Sequence, residues 1–187
     1  MPRGDASADR IRTRALDLFA RHGVAGTSLQ MIADDLGVAK AAVYHRFRTK
    51  DDIVRAVLAP AFDAFATLLD EVDARPVDER AGALVDGLAR QAVTHRRLYA
   101  VVLQDVTAAE LRRRSPDDLA VWLRLRETLA GPVPDDASRT RAAIFLSGLM
   151  GPAVDPDVAR IDDATLERAV AGAGRRILGL PTDPAPA

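Results

Sequence analysis

Residues 27–47 read TSLQMIADDLGVAKAAVYHRF and contain the signals for two short helices separated by a tight turn. Thr27 and Gln30 have the spacing of a capping box, in which the threonine hydroxyl accepts from a backbone N–H and the glutamine reaches back to the cap. Apolar residues then recur on one helical face until Leu36, and Gly37 follows where a left-handed backbone ends a helix. We therefore expect a first helix that begins after Thr27 and ends at Leu36.

A second short helix is predicted from Lys40 to Phe47, after a turn of three residues. Val43 and Phe47 are four residues apart, so both side chains can face inward. The remaining, outward positions are Lys40, Ala41, Ala42, Tyr44 and His45. Small residues let a helix enter a DNA major groove, while lysine, tyrosine and histidine donate to phosphates or base edges. Two helices joined by a tight glycine-containing turn form a helix-turn-helix unit, so these residues favour DNA binding over a surface helix of an ordinary bundle.

Six parts of this region match one known pattern: Gly26-Thr27-Ser28, Ile32-Ala33, Gly37-Val38, Val43-Tyr44-His45, Phe47 and Thr49-Lys50. Together they resemble the DNA-binding segment of the TetR family of bacterial transcriptional regulators, over about Ile11 to Val57. Two departures are visible, since many members have serine at the position of Ala39 and glycine or another residue at that of Ala41. Loss of the serine removes one cap or phosphate donor.

The resemblance implies an all-α fold. Residues 1–50 would form a three-helix DNA-binding domain with the helix-turn-helix, and residues 51–187 a helical bundle for ligand binding and dimerisation. The implied function is that of a cytoplasmic, sequence-specific transcriptional regulator, a repressor released from a palindromic double-stranded DNA operator by a small-molecule effector. A DNA-binding protein without a small-molecule ligand is the alternative. The expected DNA-contacting positions are Thr27, Ser28, Lys40, Ala41, Ala42, Tyr44, His45 and Lys50, the last at a position where family members touch phosphate.

The distribution of charge agrees with a DNA-binding N-terminal part. The whole chain of 187 residues has a formal net charge of −1, which by itself argues against a nucleic-acid binder. Up to Lys50, however, nine basic residues stand against five acidic ones, and both lysines of the chain lie there. A basic head on an acidic body predicts localised phosphate binding whose affinity depends on salt.

Other classes of protein find little support in the sequence. There is no cysteine, which excludes disulfides and thiolate metal sites and is compatible with a reducing cytoplasm. The three histidines are scattered, and neither a Gly-x-Ser-x-Gly elbow nor a phosphate loop is present. The longest apolar run, residues 142–154, is too short to span a bilayer. We therefore predict no catalytic residues, metal ligands, cofactor or membrane partner.

Hydrophobic periodicity predicts seven further helices. Thr49 is the expected N-cap of the second of them, which should pass through Pro60 with a kink, as a hinge or as a static bend. Asp162 is expected to cap the last one. The arginine run 112–114 is predicted to be solvated, and the tail 181–187 to be disordered. The predicted helices are residues 8–22, 50–72, 77–95, 97–106, 119–129, 138–151 and 164–178.

The last two predicted helices are apolar over more than one stripe, as expected for helices that contact both their own core and a partner. A single recognition helix buries too little surface for tight binding, whereas a two-fold dimer presents two helices to half-sites about 34–36 Å apart. We therefore predict a homodimer through these two helices, with burial inside a monomer as the alternative. Aromatic or polar residues within the aliphatic faces of the body are candidate effector ligands, with core packing as their alternative role. They are Phe65, Gln91, His95, Tyr99, Trp122, Arg126 and Phe145.

Overall fold

A computed structural model describes residues 7–104, 116–153 and 155–182, and within these ranges the chain is all helical, without a strand. This confirms the predicted fold class. Two short 3₁₀ turns, Gly151–Ala153 and Val158–Arg160, lie before the last helix. The α-helices of the described ranges are α1 (Ala8–Gly26), α2 (Leu29–Leu36), α3 (Lys40–Arg46), α4 (Lys50–Asp73), α5 (Val77–Thr94), α6 (Arg96–Gln104), α7 (Pro116–Ala130), α8 (Asp136–Gly148) and α9 (Asp163–Leu178).

The chain divides into two compact units. The first comprises residues 1–60 and 100–115, and the second residues 61–99 and 116–187. Helix α4 continues through Pro60, as predicted, and the division between the units falls directly after this proline. Compact units and functional domains are different divisions of a chain, so the sequence-based boundary at residue 50 stays a prediction.

The core of the first unit lies where α1 packs against α2 and α2 against α3. Each helix is amphipathic and turns one apolar face inward, which removes that face from water. Val43 has no exposed surface, whereas Phe47 at the end of α3 is half-buried. The other buried apolar residues of α1 and α2 are Ile11, Ala15, Leu18, Phe19, Val24, Ile32 and Ala33.

Two details of α1 differ from the sequence-based prediction. The helix was expected to end at Gly23, and the backbone does leave the helical region there, with φ 71° and ψ 163°. One more turn of helix follows as far as Gly26, however. By its helical spacing His22 lies at the inner edge of the apolar face, where a packing role is expected, but its side chain is exposed.

The second unit is a bundle in which α9 packs against α5 and α8, and α7 packs against α5 and α8. Gly174 of α9 lies where a side chain would not fit, because an added Cβ would be 2.6 Å from the Phe145 ring and 2.9 Å from Val85. The absence of a side chain at this position therefore lets α9 approach α5 and α8 closely. The fully buried large side chains of this unit include Leu69, Val72, Leu84, Leu88, Leu125 and Leu146.

Most predicted boundaries in the second unit are confirmed to within three residues. Gly131, with φ 86°, follows the last residue of α7, and the Asp162 side chain accepts from the N–H of Thr165 at the start of α9. The arginine run 112–114 lies outside the described residues, as does the tail from residue 183. None of the helices in the described ranges combines the length and the apolar character needed to cross a bilayer.

Candidate nucleic-acid interface

Helix α3 exposes the side predicted from its periodicity. Lys40, Ala41 and His45 are exposed, and Tyr44 keeps 43% of its surface accessible, whereas Val43 between them is fully buried. Ala42 is half-buried. The helix therefore presents a face with two small residues, an ammonium, a phenol and an imidazole. Such a face has the size and the donors that major-groove recognition requires.

Lys40 and Tyr44 interact with each other on this face. The Lys40 Nζ atom lies 5.3 Å from the centroid of the Tyr44 ring, within the range of a cation–π contact. The two residues are four apart, which places them one above the other on a helix. The tyrosine ring thus restricts the position of the ammonium group. Ala39, at the N-cap position of α3, supplies no side-chain bond to the helix, as expected where serine is replaced by alanine.

The turn between α2 and α3 is set by Gly37. This residue has φ 67° and ψ 30°, a left-handed conformation that side chains rarely adopt. The N–H of Val38 donates to the carbonyl of Ala33 at 3.0 Å, and that of Gly37 to Asp34 at 3.0 Å, so the last carbonyls of α2 are satisfied. These bonds fix the direction in which the chain enters α3.

The predicted capping box at the start of α2 is wrong. Ser28 is the N-cap, because its hydroxyl accepts from the N–H of Met31 at 3.2 Å. The Gln30 amide donates to Asp34 at 2.7 Å and does not reach back to the cap. The Thr27 hydroxyl donates to the carbonyl of Gly23 at 2.8 Å, and only 2% of this residue is exposed.

Lys50, the first residue of α4, has its ammonium group turned toward the end of α1. Its Nζ atom donates to the carbonyl of Val24 at 2.8 Å and to that of Ala25 at 3.2 Å. The residue is half-buried rather than extended into solvent. The position where the TetR resemblance predicts a phosphate contact is thus engaged inside the unit.

Helix α4 begins with the cap that the sequence predicts. The N–H of Asp52 donates to the Thr49 hydroxyl at 3.1 Å, and the N–H of Thr49 donates to the Asp52 carboxylate at 2.9 Å, which completes a capping box. Hydrogen bonds from Thr49 hold the pKa of the Asp52 carboxyl below its usual value. The joint between α3 and α4 is therefore short and well defined.

Several arginines of α1 face carboxylates of the same unit. Arg12 lies 2.5 Å from Asp9, and Asp35 of α2 lies 3.6 Å from Arg14 and 3.9 Å from Arg21. All three arginines keep part of their side chains exposed, so these pairs contribute little stability. Two further cations, Arg46 of α3 and Arg48 of the joint to α4, are exposed.

Three of the seven candidate effector ligands lie together in the second unit. The Phe65 and Tyr99 rings are nearly parallel with centroids 6.3 Å apart, and the His95 ring meets Tyr99 edge-on at 6.3 Å. Burial lowers the pKa of the His95 imidazole, which favours its neutral form. Gln91 precedes His95 by one helical turn, and its Oε1 atom is buried without a hydrogen-bond partner. We call Phe65, Gln91, His95 and Tyr99 the ring cluster.

The other three candidates are placed differently. Phe145 packs at the Gly174 crossing, where the ring contributes to the contact between α8 and α9. Arg126 is exposed and lines a cleft of about 250 Å³ that also includes Glu127 and Arg139. Trp122 is half-buried on α7. Sequence periodicity could identify these residues as unusual in their helices but could not group them in space.

The described residues contain no group of three or more histidine, cysteine, aspartate or glutamate side chains that could hold a metal ion. The feature that the sequence did not reveal is the pairing of Lys50 with the end of α1. The two carbonyls belong to backbone 25 and 26 residues earlier, so no local pattern marks them.

Comparisons with known proteins agree with the helix-turn-helix. Residues 11–57 match the family model of bacterial regulatory proteins, tetR family. The HTH-type transcriptional repressor KstR2 of Mycolicibacterium smegmatis is 28% identical over 101 residues, or 52% of this chain and 48% of the relative. The match thus spans about half the length of that curated relative.

Solved structures extend the similarity to the remainder of the fold. Mycobacterium smegmatis AmtR superposes with a TM-score of 0.72 and 25% identity, covering 98% of this chain and 90% of AmtR. FadR of Bacillus subtilis, solved in complex with stearoyl-CoA, has a TM-score of 0.66 and 17% identity, covering 89% of this chain and 96% of FadR. At 17% identity the second similarity shows the fold alone.

Proposed function

We propose that this chain is a homodimeric transcriptional repressor that a small-molecule effector releases from a palindromic operator, since residues 11–57 match the family model of bacterial regulatory proteins, tetR family, and about half of the chain is similar to the repressor KstR2. The observation that carries this proposal is the exposed face of α3, held by a buried Val43 and a left-handed Gly37. Family and relatives are regulators of transcription rather than enzymes. A regulator of this kind acts on the chromosome, and we therefore place it in the cytoplasm.

The DNA contacts divide into two groups by exposure. Lys40, Tyr44 and His45 are exposed donors on α3, and we assign them to base edges and phosphates. Ala41 and Ala42 allow the close approach of the helix, and the exposed Ser28 lies at the N-terminus of α2, where a phosphate is favoured. Thr27 and Lys50 point into the unit, and their contribution to binding would come through the geometry of the unit.

Dimerisation through α8 and α9 is supported by apolar surface that a monomer would leave in water. Ile144 of α8 is 56% exposed, with the exposed Ala143 and Gly148 in the same helix, and Ile177 of α9 is 36% exposed. Small residues beside large ones allow helices of two chains to pack closely. Two copies would then offer two α3 helices to the half-sites of one operator.

The ring cluster is the part of the second unit that best suits an effector. A buried amide oxygen without a donor costs about 1–3 kcal/mol, and a ligand N–H or O–H would remove that cost. The stacked rings and the neutral His95 favour an uncharged, largely apolar compound that carries one such donor. An effector of this kind needs a differential affinity of about 1–3 kcal/mol between two conformations to release the operator.

Selection of bound duplexes from a random pool tests the proposed function. The purified protein should enrich a palindrome whose half-sites are separated by about one helical turn. The Lys40→Met and Tyr44→Ala variants should lose most of the enrichment, while Arg139→Met, a change of an exposed cation in the second unit, should not. Failure to enrich any duplex in dilute salt would contradict the proposal.

The enriched duplex then serves to test the effector. Uncharged apolar compounds with and without a hydroxyl or amide donor are screened for release of the labelled operator. A donor-bearing compound should release it, and Gln91→Leu should reduce this release without changing operator affinity. If no compound of either class acts, the protein is better described as a DNA-binding protein without a ligand.

A further inference from the structure

The helix-turn-helix is held at both of its ends by one side chain. Residues 28–47 lie between the end of α1 and the start of α4, and the Lys50 ammonium joins these two elements. Its Nζ atom is 2.8 Å from the Val24 carbonyl and 3.2 Å from the Ala25 carbonyl. The two bonds thus close a chain segment that contains the whole of α2 and α3.

The end of α1 is a favourable place for a positive charge. The last carbonyls of a helix have no N–H partner within the helix, and the turn 24–26 that follows the break at Gly23 leaves its carbonyls to other donors. Thr27 satisfies the Gly23 carbonyl through its hydroxyl, and its N–H lies 3.3 Å from the Val24 carbonyl. Lys50 provides the charged donor for Val24 and Ala25, and hydrogen bonds from a charged donor are stronger than neutral ones.

This geometry leaves little freedom at the start of α2. Val24 is 1% exposed and Thr27 is 2% exposed, so the side chains on both sides of the exposed Ala25 and Gly26 are anchored in the core. The capping box of Thr49 and Asp52 fixes the first turn of α4, where Lys50 is located. Both partners of the contact are therefore anchored, and the contact links the start of α4 to the end of α1.

Building on the proposed DNA-binding function, we propose that Lys50 is a positioning residue of the helix-turn-helix rather than a phosphate contact. A binding site must be held to within about 0.5 Å by the contacts beneath it, and Lys50 supplies one such contact between the two ends of the unit. A change of Lys50 should therefore alter DNA affinity indirectly, and to a similar extent for every DNA sequence that α3 contacts.

The salt dependence of operator binding distinguishes positioning from phosphate contact. The logarithm of the binding constant falls as the logarithm of the salt concentration rises. Loss of a phosphate contact makes this negative slope shallower by about 0.9 for each protomer, whereas loss of a positioning residue leaves the slope unchanged. The Lys50→Met variant should bind the selected operator about tenfold more weakly with the wild-type slope. Lys40→Met is the matched control, because the same substitution on the exposed face of α3 should make the salt slope shallower.

A second measurement needs no DNA. Hydrogen exchange of the free protein should become about tenfold faster across residues 28–47 in Lys50→Met and stay near wild type in Lys50→Arg, which keeps a charged donor. Lys50→Arg should also restore operator affinity to within about threefold of wild type, which a loss of folded protein would not explain. If Lys50→Met does not fold, Lys50→Gln, which removes the charge but keeps a neutral donor, replaces it in both measurements.

The outcomes separate this inference from the proposed function. The positioning role would be overturned if Lys50→Met showed a shallower salt slope than wild type, or if its hydrogen exchange across residues 28–47 were unchanged. Either result would count even when the wild-type protein binds its operator. If the wild-type protein binds no duplex, the proposed function fails, and the exchange measurement still decides whether Lys50 holds the two ends together.

Discussion

Replacement of Gly174 by alanine should destabilise the second unit, although alanine is the better helix former. The added methyl group would lie 2.6 and 2.8 Å from two atoms of the Phe145 ring and 2.9 Å from a methyl of Val85. Contacts this short require the ring or the helices to move. Gly172, two residues earlier in the same helix, is the matched control, since its nearest neighbour would be the flexible end of Arg176 at 3.5 Å.

The magnitude follows from two opposing terms. Glycine to alanine inside a helix contributes about 1 kcal/mol of stability, and this gain applies to both positions. Forcing a methyl group into a packed core costs about 1–3 kcal/mol, and this cost applies to Gly174 alone. We therefore expect Gly172→Ala to be slightly stabilising and Gly174→Ala to be about 2 kcal/mol less stable than it.

Urea denaturation followed by circular dichroism measures this difference. The protein concentration must be the same for all variants, because the stability of the proposed dimer would depend on it. A second change, Phe145→Leu, should relieve part of the cost of Gly174→Ala, with a coupling of at least about 0.5 kcal/mol. Equal stability of the two alanine variants would refute the close packing of α9 at Gly174. The Phe145 ring would then no longer be assigned to that contact, and it would stand again among the candidate effector ligands.

Three further predictions concern charge, recognition and the ring cluster. Backbone N–H groups lower the pKa values of the capping carboxyls of Asp135 and Asp162. These ionised caps therefore contribute their full stabilisation of the fold at neutral pH. The stabilisation is lost as the pH falls from the ordinary aspartate value of 3.8 through the lowered pKa of the folded state. Changing both to asparagine should flatten the fall of the urea midpoint below about pH 5, whereas an unchanged profile would show that other carboxyls dominate. Tyr44→Phe keeps the ring beneath the Lys40 ammonium and should lose less operator affinity than Tyr44→Ala, by about 0.5–1 kcal/mol in a fluorescence titration. Equal losses of operator affinity in the two variants would mean that the Tyr44 hydroxyl, and not its ring, contributes to binding. Gln91→Leu removes a buried oxygen without a partner and should raise the stability of the ligand-free protein by about 1 kcal/mol in urea denaturation, and a lower stability would show that the amide is satisfied within the fold.

The start of α2 shows why a local rule can be right about a helix and wrong about its cap. Thr27 and Ser28 are both good N-cap residues, and the helix begins one residue later than the capping-box spacing of Thr27 and Gln30 implies. The choice falls on Ser28 because Thr27 is buried and its hydroxyl satisfies the Gly23 carbonyl at the end of α1. That carbonyl belongs to another helix, and a window of sequence around α2 does not contain it.

The effector candidates show the same limit for a site. Periodicity marks Phe65, His95 and Tyr99 as aromatic or polar residues on buried faces, and it marks Phe145 on the same grounds. The structure separates them, because Phe65, His95 and Tyr99 meet one another while Phe145 fills the space beside Gly174. Which rings meet depends on how α4, α5, α6, α8 and α9 cross, and crossing geometry is not encoded in any one helix.

The sequence by itself determined the helix-turn-helix, because the signals that form it act within a few residues. A glycine at position 37 provides the left-handed turn, buried Val43 fixes which side of α3 faces inward, and Thr49 caps the helix that follows. The tertiary structure alone decided the partners of Lys50, since hydrogen bonds to the Val24 and Ala25 carbonyls join backbone far apart in the chain. Backbone carbonyls are the same at every residue, so only the folded arrangement selects which of them a side chain meets.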